Sequence, residues 1–131
     1  MRIIIAGGRN FNDYDLLYSC CNSVIEWWKL CLIVEVFPKV EINVDEIEIV
    51  SGTATGADRL GERYAKDNGY TVKKFPADWN KHGKSAGYKR NAQMAEYADA
   101  LIAFWDGKSK GTKHMIDLAK HNNLGVRIYS Y

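Results

Sequence analysis

The stretch Ile47-Glu48-Ile49-Val50-Ser51-Gly52-Thr53-Ala54-Thr55-Gly56-Ala57-Asp58 decides the fold. A short apolar run, rich in β-branched residues, stops at Ser51-Gly52, as a buried strand does where it enters a turn. Beyond the glycine and hydroxyl loop, Ala57, Leu60, Tyr64 and Ala65 fall on one face at helical spacing. Asn68-Gly69 ends the helix, because glycine is favoured just past a helix C-terminus. Buried strand, tight loop and helix together make the repeating unit of a parallel sheet.

The same unit recurs on either side. Residues 2–6 form an apolar run that ends in Gly7-Gly8, and Asn12 or Asp13 can cap a helix carrying Leu17, Cys20, Cys21, Val24, Ile25 and Trp28. Residues 70–75 read as a strand, 76–87 as a long polar loop, and a helix carries Asn91, Met94, Ala95 and Ala98. Residues 100–105 are a strand, 106–111 a loop, 112–123 a helix and 125–129 a last strand. The alternation predicts a single domain over 1–131 of α/β class. Its form is a Rossmann-like three-layer sandwich with a mostly parallel sheet of about five strands and helices on both faces. Residues 30–46 depart from the rhythm. Pro38 interrupts an apolar run and residues 40–44 alternate, so an extra strand pair is expected near 31–45.

Composition narrows the class. The chain has 131 residues, 47% hydrophobic and 26% charged, which suits one globular domain with its own core. A formal charge of +2 with scattered cations does not support a nucleic-acid-coating protein. Cys20, Cys21 and Cys31 form no C-x-x-C pair, and their odd number suits a reducing, cytoplasmic setting in which they pack as small apolar groups. No apolar run is long enough for a membrane span or signal peptide.

Ligands of open parallel sheets sit outside the carboxyl ends of the strands, where four loops of this chain are expected to meet. Gly7-Gly8-Arg9 combines a sharp turn with a planar cation suited to phosphate or carboxylate. Ser51, Gly52, Thr53, Gly56, Ala57 and Asp58 open a helix, where amides and the positive dipole end favour an anion; Asp58 accepts from helix amides or a ribose hydroxyl. Asp106, Gly107, Lys108, Ser109, Lys110, Gly111 and Thr112 repeat that arrangement with two lysines. The string is not a Walker A loop, because that motif needs a glycine where Ile102 stands. In the fourth region Arg90 and Asn91 lie early in a helix, and upstream Asp78 and Trp79 sit in a polar loop. Trp79 either stacks on a base or anchors the loop.

No catalytic motif accompanies these loops: G-x-S-x-G is absent, and no Ser-His-Asp or Cys-His arrangement is specified locally. His114, Asp117 and His121 share one helical face, a spacing read as a solvated stripe rather than a metal site; no metal and no resident cofactor are expected.

Taken in order, GGRNF, VSGTATGAD, FPADW, Gly87-Tyr88-Lys89-Arg90-Asn91 and FWDGKSKGT resemble the YspA/cpYpsA-related SLOG family over nearly the whole chain. The resemblance implies a Rossmann-like domain that binds a nucleotide or nucleotide-derived ligand as a sensor or processor in conflicts with phages, and that self-associates. The wider superfamily includes the LOG phosphoribohydrolases and the single-stranded DNA binder DprA, so an N-glycosidic hydrolase of nucleoside monophosphates and a DNA binder are the rival readings. LOG enzymes carry P-G-G-x-G-T-x-x-E. Here Gly107, Gly111 and Thr112 match that loop, but the glutamate position falls near His114, and Asn91 replaces the lysine of an Arg-Lys pair. The candidates for a catalytic carboxylate are Asp58, Asp78, Asp106 and Asp117, with no sequence argument selecting one.

Overall fold

The computed structural model describes residues 1–33 and 46–131. In chain order the elements are β1 (Arg2–Gly7), α1 (Tyr14–Ile33), β2 (Glu48–Ser51), α2 (Ala57–Asn68), β3 (Thr71–Lys74), α3 (Trp79–His82), a 3-10 turn (Gly83–Ser85), α4 (Ala86–Tyr97), β4 (Ala100–Trp105), α5 (Lys110–His121) and β5 (Gly125–Ser130). The five strands form one parallel sheet in the order β3-β2-β1-β4-β5. Strand β1 is central: Ile4 pairs in register with Val50 of β2 on one side and Leu101 of β4 on the other.

Successive side chains of a strand point to opposite faces, so each strand feeds two cores. Ile3, Ile5, Ile49, Ile102 and Phe104 pack with Leu17, Cys21, Trp28 and Tyr64 from α1 and α2. Ile4, Ala6, Val50, Leu101 and Ala103 pack with Met94 and Ala95 of α4 and Met115, Ile116 and Ala119 of α5. This three-layer arrangement is the Rossmann-like sandwich that the strand and helix alternation predicts. The loops after β1 and β4, which are adjacent strands, leave towards opposite faces and open a crevice between them.

Local chemistry explains the boundaries. Asp13 caps α1, its Oδ1 accepting from the Leu16 amide at 3.0 Å. Gly69 closes α2 with φ +72° and its amide on Lys66 O. Helix α5 begins at Lys110 rather than Thr112, because Ser109 is its cap. Two expectations are corrected. Residues 76–87 are not a plain loop but hold α3, the 3-10 turn and the start of α4. The short helix escapes periodicity because none of its residues is buried. Residues 31–33 continue α1 instead of beginning a strand pair, and the rest of that expected pair lies outside the described residues. Cys20, Cys21 and Cys31 are free thiols, the last two buried. No helix among the described residues is long and apolar enough to cross a membrane.

Candidate functional site

The β1 loop is fastened to its neighbours before it can meet a ligand. The Gly8 amide donates to Phe104 O at 3.1 Å, and Gly8 O accepts from the amides of Phe11 and Ala57, each at 3.2 Å. The Phe11 ring stacks on Phe104 and meets Tyr131 edge-on, while Tyr131 Oη donates to Asn10 Oδ1 at 2.9 Å. Gly56 has φ +80°, and a Cβ there would lie 2.3 Å from Gly8 O, so only glycine lets α2 start against this loop.

The loop after β2 is braced from within. Ser51 Oγ donates to Glu62 Oε2 at 2.6 Å and accepts from the Thr53 amide at 3.1 Å. Asp58, 6% exposed, accepts the Ala54 amide on Oδ2 at 3.1 Å. After β4, Asp106 Oδ1 accepts the amides of Lys108 and Ser109, both at 2.8 Å, closing a tight turn. The Ser109 hydroxyl accepts the Thr112 amide at 3.4 Å, and Trp105 Nε1 donates to Ser109 O at 3.0 Å. The amides of Lys110 and Gly111 have no acceptor among the described residues. They are the unfilled donors of a helix start, at its positive dipole end.

Helix α4 reaches over both loops. Arg90 Nη1 donates to Gly52 O and Nε donates to Asn91 Oδ1 at 3.0 Å. Asn91 Nδ2 in turn donates to Gly111 O at 3.4 Å and lies 3.2 Å from His114 Nδ1. An amide NH₂ only donates, so His114 Nδ1 accepts and its proton sits on Nε2. Burial lowers the His114 pKa, in keeping with a neutral ring.

These elements enclose an inner chamber of about 90 Å³, walled by Gly7, Arg9, Asp58, Arg90, Asn91, Ser109, Gly111 and Thr112 and floored by Ala6, Met94 and Met115. Arg9, Arg90 and Gly111 are shared with an outer chamber of about 190 Å³, completed by Trp79, Lys84, Gly87 and Tyr88. Nine of the residues selected from sequence therefore line one crevice: Gly7, Arg9, Asp58, Trp79, Arg90, Asn91, Ser109, Gly111 and Thr112.

The others stand elsewhere. Gly8, Ser51, Gly52, Thr53, Gly56 and Ala57 shape the loops behind it, with Thr53 itself at φ +64°. Gly107, at φ +81°, and exposed Lys110 lie outside the lining. Of the four carboxylates only Asp58 lines the crevice. Asp78 caps α3 by accepting the Lys81 amide at 3.1 Å, Asp106 holds its turn, and Asp117 pairs with Lys113 at 2.8 Å on an exposed face of α5. Lys84, Gly87 and Tyr88 were not selected as contacts from sequence. The available signal was a large aromatic beside glycine in the first turn of α4.

Electrostatics favour an anion. Burial pushes the Asp58 carboxyl up to about 6, against the pull of the Ala54 amide and Arg90. Burial also lowers the Arg90 guanidinium, opposed by Asp58. Neither Arg9 nor Arg90 belongs to an ion pair among the described residues. Two guanidinium groups and Gly111, which carries one of the free helix-start amides, thus line one space, a donor set suited to phosphate or carboxylate oxygens.

A family model for the YspA, cpYpsA-related SLOG family matches residues 1–82. The chain is 38% identical over 84 residues to the Gene 61 protein of Mycobacterium phage D29, an alignment covering 60% of this chain and 67% of that protein. No solved structure matches. The family match ends before α4, so Arg90 and the β4 loop join the site through the fold. With a match over more than half its length, the chain belongs to the YspA, cpYpsA-related SLOG family.

Proposed function

We propose that the crevice binds a nucleotide or nucleotide-derived phosphate ligand and that the domain acts as a sensor or processor of it. The observation that carries the reading is that Arg9 and Arg90, neither ion-paired, line one cavity with Gly111, whose helix-start amide is unfilled. Family membership supports it, since it carries a nucleotide-related role. The glycine loops bring backbone close to the phosphate, the arginines neutralise it, and Asp58 is placed to accept from a sugar hydroxyl. Calorimetric titration of nucleoside mono- and diphosphates into the wild type and Arg90→Ala tests this. Saturable binding that falls at least tenfold in the variant, with an unchanged circular-dichroism spectrum, is expected; equal binding by both proteins refutes it.

One observation favours a second, catalytic reading. Asp58 is a buried carboxyl with a pKa near 6, and such a group exchanges protons near neutral pH. A hydrolase acting on the N-glycosidic bond of a nucleoside monophosphate would release free base and ribose 5-phosphate, with Asp58 taking the proton of the attacking water. His114 packs edge-on to Tyr88 at 4.4 Å and lines neither chamber, so it does not replace a LOG-type glutamate. Release of base that is lost in Asp58→Asn supports this reading, and tight binding without turnover excludes it.

A further inference from the structure

The crevice is divided, and its two chambers differ in chemistry. The inner one, at about 90 Å³, has roughly half the volume of the outer, at about 190 Å³. That suits a phosphoryl group or part of a sugar but not an aromatic ring as well. Its lining polar groups are charged or hydrogen-bonding: Arg9, Arg90, Asp58, Ser109 and Thr112.

The outer chamber, at about 190 Å³, is bordered by two large aromatics that the fold leaves in solvent. Trp79 is 51% and Tyr88 47% exposed. The Tyr88 ring is oriented by its edge contact with His114. Gly87 lies between the indole and the arginine: a Cβ on it would be 3.5 Å from Trp79 Cη2 and 3.8 Å from Arg90 Nη2. Absence of a side chain there keeps the passage between indole and guanidinium open. Sequence-tolerant binding of bases uses exposed aromatic faces beside cations in this way.

We infer that the outer chamber is a nucleobase subsite, with Trp79 and Tyr88 stacking the base of a nucleoside monophosphate whose phosphate occupies the inner chamber. Arg9, Arg90 and Gly111, common to both, lie along the ribose phosphate that joins them. Two chambers of about 90 and 190 Å³ offer one place for a phosphate and one for a base, the parts of a mononucleotide. The inference rests on the phosphate-binding reading above and goes further by naming the ligand's size class and the residues that hold its base.

The experiment titrates ribose 5-phosphate, four nucleoside 5′-monophosphates and a nicotinamide dinucleotide into the wild type, Trp79→Ala, Tyr88→Ala and Gly87→Leu. At least one monophosphate is expected to bind the wild type about tenfold or more tightly than ribose 5-phosphate, in line with the ~1–3 kcal/mol of a base–aromatic stack. Trp79→Ala and Gly87→Leu should bring that affinity down to the ribose 5-phosphate level while leaving ribose 5-phosphate itself within about twofold. Gly87→Leu keeps the test decisive should truncation of either aromatic unfold the chain, because leucine is a better helix former than glycine. The inference is overturned if the base adds no affinity, if the variants lose both probes equally, or if the dinucleotide binds best. In those cases ribose 5-phosphate still binds and the phosphate-site reading survives. Failure of every phosphate probe on the wild type refutes both.

Discussion

Asp58 and Arg90 share the space that a side chain at Gly52 would take: a Cβ placed there would stand 2.8 Å from Asp58 Oδ2 and 2.6 Å from Arg90 Nη1. The missing side chain thus leaves room for a buried carboxylate and a partly buried guanidinium beside one backbone position, without a direct ion pair between them. Each keeps its own backbone partner, the Ala54 amide for Asp58 and the Gly52 carbonyl for Arg90. The arginine remains available to a ligand because Asp58 does not neutralise it in a direct ion pair.

Gly52→Ala should displace Arg90 from the crevice. The added methyl cannot coexist with Nη1 at 2.6 Å, and the flexible guanidinium yields before the loop backbone does. Overpacking of this kind costs about 1–3 kcal/mol. Thermal melts should show a drop of several degrees, and nucleotide affinity should fall at least tenfold. An unchanged affinity would mean that Arg90 does not contact the ligand.

Asp58→Asn should change how stability depends on pH. The carboxyl titrates near 6 in the folded chain against 3.8 when unfolded, so the folded state binds its proton more tightly. Its contribution is favourable below about pH 4 and is lost as pH rises through the folded value, a swing on the order of 3 kcal/mol. Asparagine stays neutral and still accepts the Ala54 amide. The melting temperature of the variant minus that of the wild type should therefore grow between pH 4 and pH 7. Parallel curves would show that Asp58 is not held in its neutral form by burial.

Gly111→Val separates binding from folding. No atom lies within 4 Å of a Cβ at this exposed position, yet the residue borders both chambers. Valine is a better helix former than glycine by about a few tenths of a kcal/mol, so the exchange does not weaken the start of α5. The melting temperature should stay within about 2 °C of the wild type while calorimetric affinity for nucleotides drops severalfold. A variant that binds normally would place the ligand away from the start of α5.

Much of the fold is legible because its signals are local. β4 spans Ala100–Trp105 as its apolar run predicts, and Gly69 stops α2 where glycine is read as a stop. Other features left no local trace. α3 buries no apolar face, so it has no period to detect. Residues 31–33 are apolar enough for either a strand or a helix, and burial of Val24, Ile25, Trp28 and Cys31 along one face carries α1 past Leu30.

The sequence alone determined which loops are rich in glycine and hydroxyls, where the arginines stand, and that strands alternate with helices. These follow from composition and short-range spacing. Only the tertiary structure decided that Arg9, Asp58, Arg90 and Gly111 share a wall, because that depends on β1 lying between β2 and β4 in the sheet. It also chose among four carboxylates. Asp78 and Asp106 are consumed by turns and Asp117 by a lysine, whereas burial against Arg90 sets Asp58 apart. Desolvation is a property of everything packed around a group, and Arg9 and Arg90, which line the crevice with Asp58, are distant from it in the chain.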